Sequence, residues 1–347
     1  LDATIIDNLT NPAVLFFFLG ALLGGVRSNL EIPSPIAKFL SLYLLMAIGF
    51  KGGQALAQTG LGGDAAKVLG AAMLLAVVVP AWSYAILRAR VQPFDAAGIA
   101  ATYGSVSAVT FVAASEFVAS RGDAAGGHLT VALVAMESPA IVMAVLLATW
   151  VRTRHAAAGS ATQGQPGVAG PDGAPGAVTA TASNPRLLQV LHEAFTDGAH
   201  LLLIGSLAIG AVSGSAGGEA MTAFVGDIFT GVLAFFLLEM GLLVARQLRE
   251  VRDVGPFLIA FGLAMPVVNA AAAMALGTAL GLPTGDLTLL AVLAASASYI
   301  VVPAVIRYAI PEARPGRYFT MALAVTFPFN IIVGIPLYYA VAARLSA

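Results

Sequence analysis

The chain has 347 residues, 59% of them hydrophobic and 10% charged, with a mean hydropathy of +0.90. That is more apolar surface than a soluble core of this length can hide from water, so the expected solvent is a lipid bilayer. A net charge of −1 gives no sign of a nucleic-acid partner, and zero Cys excludes disulfides, thiolate chemistry and cysteine-held metals.

A spanning helix needs roughly 20 apolar residues. The sequence offers about ten such stretches, near 11–27, 36–58, 67–88, 95–119, 128–151, 198–214, 223–246, 254–281, 286–310 and 317–343. The opening Leu1-Asp2-Ala3 carries no basic n-region, so no cleavable signal peptide is expected. With ten crossings the odd-numbered loops share one face, and they hold 13 of the 17 Lys and Arg residues, including Arg88, Arg90, Arg152, Arg154, Arg246, Arg249 and Arg314. The other face is dotted with Asp64, Asp123, Glu219, Asp227 and Asp286. By the positive-inside rule the odd loops are cytoplasmic and both termini lie outside.

Between Arg152 and Arg186 the composition shifts to Ala, Gly, Pro, Ser, Thr and Gln. Such a stretch buries too little apolar area to offset its ordering entropy, so 152–186 is expected to be a disordered cytoplasmic linker. It separates a first five-helix repeat, 11–151, from a second, 187–343. Leu187 to Thr196 reads as a short amphipathic helix on the inner surface, with Arg186, His192 and Glu193 on its polar side.

The two halves match at a nearly fixed offset. Ser105-Val106-Ser107 answers Ser296-Ala297-Ser298, Pro139 answers Pro328 and Gly49 answers Gly241, at separations of 191, 189 and 192. Five helices per repeat make the second half enter the membrane from the opposite side. The expected fold is therefore an all-α polytopic membrane protein of two inverted repeats, an organisation typical of alternating-access transporters.

Gly104-Ser105-Val106-Ser107-Ala108-Val109-Thr110 falls mid-span in the fourth helix, and Ala295-Ser296-Ala297-Ser298-Tyr299-Ile300-Val301-Val302-Pro303 in the ninth. Pro303 lacks a donor and closely spaced Ser residues offer the backbone other partners, so both helices are expected to be discontinuous. If they cross, half-helix N-termini converge on one spot with free N–H groups and positive dipole ends, which suits an anion. Ser105, Ser107, Thr110, Ser296 and Ser298 would add uncharged donors, with Gly104, Val106, Ala297 and Tyr299 completing the site. For any single Ser, close helix packing accounts for its presence equally well.

Charges inside the spans are few. Glu137 and Glu239 are mid-span carboxylates, functional candidates by default, and Lys51 is the obvious counter-charge. Three roles stay open to them: cation ligand, proton carrier or structural ion pair. Thr326 and Asn330, in Thr326-Phe327-Pro328-Phe329-Asn330, add hard oxygen ligands of the kind sodium prefers. The four His residues show no ligand spacing, so no metal site is read.

At these motifs the sequence resembles the sodium-dependent bicarbonate transporter family, known from cyanobacteria and widespread in other bacteria. The likeness runs through Ile48-Gly49-Phe50-Lys51-Gly52-Gly53, Tyr103-Gly104-Ser105-Val106-Ser107, Glu137-Ser138-Pro139-Ala140, Ala294-Ala295-Ser296-Ala297-Ser298 and the Pro-rich last helix. The resemblance implies crossed broken helices in a core domain beside a gate or scaffold domain, in the bacterial inner membrane. It also implies bicarbonate entering with sodium, a homotrimer, and control by PII-like proteins at the cytoplasmic face. Departures are visible: Ala108-Val109 stands where cyanobacterial members have Gly-Ser, Tyr299 where they have Asp, and Lys51 at an uncharged position. The first rival reading is a cation/proton antiporter in which Glu137, Glu239 and Lys51 titrate. An intramembrane enzyme or sensor is remote, because no nucleophile with its base and no paired acidic motif is present.

Overall fold

The computed structural model describes residues 8–60, 62–162 and 198–346, and among these every regular element is helical. In chain order they are α1 (Pro12–Gly25), α2 (Ser34–Thr59), α3 (Gly63–Leu87), α4 (Pro93–Gly104), α5 (Ala108–Ser120) and α6 (His128–Thr162). The second half contributes α7 (Gly198–Thr222), α8 (Phe229–Gln247), α9 (Pro256–Ala279), α10 (Thr284–Ala295), α11 (Val301–Ala309) and α12, the final run Pro315–Leu345. Proline in the first turn, where a helix has no use for that N–H, opens α1, α2, α4, α9 and α12. Asn11 caps α1 by accepting from the Ala13 amide at 2.9 Å. At the other end of α2, Gly60 adopts φ +72° and donates its N–H to the Leu56 carbonyl, closing the helix where a Cβ would be strained.

Seven helices or helix runs are long and apolar enough to cross a membrane, among the described residues. Where ten stretches were expected, α1 and α10 are apolar but shorter, and Leu201–Gln247 forms one continuous run. The reason is local. At Gly214, the expected end of the sixth stretch, φ +57° and ψ −153° are not helical, so two helices meet there, and the second passes through a wide turn at Ala223–Asp227 into α8. α6 also departs from expectation, continuing to Thr162, past the point where the linker was to begin. The rest of that linker and the amphipathic helix expected at 187–196 lie outside the described residues. Large apolar side chains such as Leu22, Leu146, Ile209 and Phe235 are exposed on the outside of the bundle, as a lipid-facing surface requires.

The helices sort into two groups by contact. α1 lies along α8 and α2 along α7, and the four form one bundle. The others gather around α4 and α10, in which every residue from Asp95 to Gly104 and from Gly285 to Ala295 is buried. Glycine sets the spacing of the first bundle. A Cβ added at Gly53 would stand 2.0 Å from the Leu207 carbonyl oxygen, and one at Gly241 2.1 Å from that of Phe17. Small residues four apart, Gly20 with Gly24 and Gly49 with Gly53, thus let backbone meet backbone.

Gly53→Ala is expected to lower stability by about 1–3 kcal/mol, because the neighbouring carbonyl must move. Gly231→Ala, on the same bundle with nothing within 4 Å of its added Cβ, should be neutral or slightly stabilising. Thermal unfolding of the two variants in detergent measures the difference.

Candidate functional site

The fourth and ninth stretches are interrupted at Ser105–Ser107 and Ser296–Ile300. Pro303 does not itself break the chain: it sits in the first turn of α11, where its missing N–H costs nothing. The two interruptions hydrogen-bond to each other. The Ser298 amide donates to the Thr102 carbonyl at 2.9 Å. The Ser107 amide donates to Ser296 Oγ at 3.0 Å, and that hydroxyl passes its proton to the Leu293 carbonyl at 2.9 Å. Thr102 and Leu293 are again 191 residues apart. Each break thus bonds to the helix end of the other, directly in one case and through one hydroxyl in the other. Ser105, the counterpart of Ser296, is left buried with its hydroxyl unpartnered among the described residues.

Both following helices begin at this meeting point. Ser107 caps α5, its Oγ accepting from the Thr110 amide at 3.3 Å and from the Thr110 hydroxyl at 2.9 Å. Ser298 Oγ accepts from the Val302 amide at 3.4 Å at the start of α11. With their oxygens turned to the helix starts, both hydroxyls keep an O–H to donate outward.

Both residues line a pocket of about 60 Å³, room for a small ion or a few waters. Its wall on one side is Ser107, Ser298, Tyr299, Ile300 and Glu137, and on the other Ser41 and Leu45 of α2 with Ala199 and Leu203 of α7. The pocket therefore lies between the two helix groups. Tyr299 is buried, its phenol beside the Ser107 hydroxyl and its ring edge-on to Phe327 at 5.7 Å. Val106 also lines the pocket, whereas Gly104 faces Pro80 and Ala297 is buried.

The expected cation set does not assemble as one group. Glu137 lines the pocket, but Thr326 donates to the Gly262 carbonyl at 2.9 Å and bonds the Tyr103 phenol at 2.6 Å. Asn330 donates to the Ala295 carbonyl, the end of α10, at 2.9 Å and accepts from Tyr338 at 3.1 Å. These two side chains fasten α12 to its neighbours. Lys51 lines a separate cavity with Glu116, and Glu239 is a half-buried residue of α8 outside the pocket lining.

Two residues that the sequence reading passed over hold the broken helices in place. Asp95, in the first turn of α4, accepts from the Arg314 amide at 2.7 Å and from Arg317 Nη1 at 3.0 Å. Asp286, in the first turn of α10, accepts from the Gly126 amide at 2.7 Å and lies 2.9 Å from His128 Nε2. Each aspartate is buried and joins its helix to the loop entering a long helix of the other half. Their separation of 191 residues was the available signal. For Ser41, Leu45, Ala199 and Leu203 there was none, since each is an ordinary residue of an apolar helix.

A small pocket lined by hydroxyl donors and helix starts, between two groups of helices in an apolar bundle, defines a membrane carrier. The chain belongs to the Na+-dependent bicarbonate transporter superfamily, whose family model matches residues 12–343. Among curated proteins, no sequence matches it. Membership makes the chain a Na+-dependent transporter of bicarbonate or a related anion, and not an enzyme.

Asp95→Ala should cost about 3 kcal/mol, since it strands the Arg317 guanidinium and a buried amide. Arg152→Ala, which breaks an exposed pair with Glu312, should cost less than about 1 kcal/mol. That pair holds the Glu312 carboxyl below the usual carboxylate range. Thermal denaturation in detergent ranks the two.

Proposed function

We propose that the protein carries bicarbonate, or a similar small anion, inward together with sodium by alternating access. In this reading the chain crosses the membrane ten times as two inverted five-helix repeats, with both termini outside. The fourth and ninth crossings are the discontinuous pairs α4–α5 and α10–α11, and they cross at the pocket. The group built on α4 and α10 is the moving core, and α1, α2, α7 and α8 form the gate. From the family resemblance the same reading takes a homotrimer in the bacterial inner membrane and a PII-like partner at the cytoplasmic face.

The observation that carries the proposal is the mutual hydrogen bonding of two breaks related by one sequence offset, beside a pocket lined by Ser107 and Ser298. Uncharged donors and dipole ends can hold an anion without binding it too tightly for release. Tyr299 adds a phenol where the cyanobacterial pattern has a carboxylate, so the site gains a donor to the anion and loses a ligand for the cation. Glu137 is then the carboxylate on the pocket wall to which sodium would come. Ser105, Thr110 and Ser296 shape the crossing behind the pocket, and Thr326 and Asn330 hold α12.

The decisive measurement is uptake of radiolabelled bicarbonate into proteoliposomes with and without an inward sodium gradient. Gradient-driven uptake is expected, with at least a tenfold loss in the Ser107→Ala/Ser298→Ala double variant, as befits two hydrogen bonds of about 1 kcal/mol each. Uptake that follows a proton gradient and ignores sodium would instead favour a titrating Glu137. Tyr299→Phe is expected to raise the KM for bicarbonate about three- to tenfold, the value of one neutral hydrogen bond. An unchanged KM removes Tyr299 from the site.

A further inference from the structure

A second cavity, sharing no lining residue with the pocket, is walled by Ile48, Lys51, Gly52 and Ala55 of α2 and by Phe111, Ser115 and Glu116 of α5, among others. The two spaces are continuous in register. On α2 the sequence Ser41, Leu45, Ile48, Lys51 or Gly52, Ala55 advances by three or four residues at each step, so one helix face passes from the pocket into the second cavity. On α5 the steps from Ala108 to Phe111, Ser115 and Val118 do the same. Leu45 and Lys51 are six residues apart, about 9 Å along the axis. Each of the two helices thus carries one face from the pocket to the second cavity, with the apolar residues Leu45 and Ile48 of α2 and Val109 and Phe111 of α5 in between.

Lys51 is the cation in this second cavity. Its ammonium sits 4.1 Å from the centroid of the Phe229 ring, an arrangement that holds the charge in place without neutralising it. The next residue of α8, Thr230, donates to Glu116 Oε1 at 2.9 Å. Consecutive residues at the start of α8 thus hold the ammonium and the carboxylate separately. The other carboxylate of the cavity, Asp123, accepts from the Tyr339 phenol at 2.6 Å.

We infer that this cavity is an anion-capture site on the face opposite the pocket, and that Lys51 is the residue that selects for negative charge there. The inference rests on the transport reading above, in which that face is the outside and the anion moves inward along the stripe shared by α2 and α5. Glu116 works against Lys51 and moderates it. A small monovalent anion is held weakly enough to go on past the apolar residues in between.

The test is the initial rate of bicarbonate uptake, against external bicarbonate at saturating sodium and against external sodium at saturating bicarbonate, for wild type, Lys51→Gln, Lys51→Arg and Glu116→Gln. Lys51→Gln should raise the KM about five- to tenfold and lower the maximal rate by a smaller factor, because the charge acts on arrival. Lys51→Arg should stay within about twofold of wild type, and Glu116→Gln should lower the KM. An unchanged KM in Lys51→Gln overturns the inference. So does the opposite pattern, in which Lys51→Gln tightens the apparent affinity for sodium and Glu116→Gln weakens it, since the cavity would then serve the cation. Wild type without any sodium-driven uptake would instead defeat the transport reading. The capture site is then judged by the rate at which an acetyl N-hydroxysuccinimide ester modifies Lys51 in purified wild-type protein. Slower modification in bicarbonate than in gluconate of equal ionic strength supports the site, and equal rates refute it.

Discussion

Hydrocarbon supplies no hydrogen bonds, so a peptide group freed where a helix breaks must find its partner within the protein. In this chain the partner of each break is the other break. The Ser298 amide reaches the Thr102 carbonyl, and the Ser107 amide reaches the Leu293 carbonyl through Ser296. Neither interruption could persist alone, and the two halves of the sequence are bound to each other at the centre by that necessity. The pocket is a consequence: once the backbone is satisfied sideways, the hydroxyls of Ser107 and Ser298 remain to face the space between the helix groups. Asp95 and Asp286 repeat the arrangement one short helix away, each joining the start of a broken helix to the opposite half.

The correspondence between the halves is close but uneven, and the unevenness has a physical origin. On one side the amide meets a carbonyl directly; on the other a serine hydroxyl is interposed between amide and carbonyl. The spare hydroxyl of Ser105 is the residue of that difference. Ser105 and Ser296 therefore share a place in the sequence pattern and not a hydrogen-bonding role.

Much of this was legible in the residues. Closely spaced serines beside glycine or proline, recurring at one offset within apolar stretches, located both breaks, and the same offset relates Asp95 to Asp286. Composition alone indicated the membrane. What could not be read was which polar groups are already engaged. Thr326 and Asn330 have the chemistry of cation ligands, and they are also engaged with Gly262, Tyr103, Ala295 and Tyr338, of which only Tyr338 belongs to the same helix run. Lys51 appeared to be the counter-charge of Glu137 because both are rare intramembrane charges. Helix register separates them, since Lys51 lies beyond Leu45 on the face that leads away from the pocket.

The glycine seams of α1 with α8 and α2 with α7 have a consequence for how such a protein can change over evolutionary time. Where main chain rests on main chain there is no rotamer to readjust, so even one added methyl must displace a helix. The opposite is true of the pocket wall, where Leu45, Leu203, Val109 and Ile300 present side-chain ends to open space. Substitutions there can alter the size and polarity of the cargo compartment while the stiff seams keep its position. Selectivity is free to drift in a carrier of this design, and the frame around it is not.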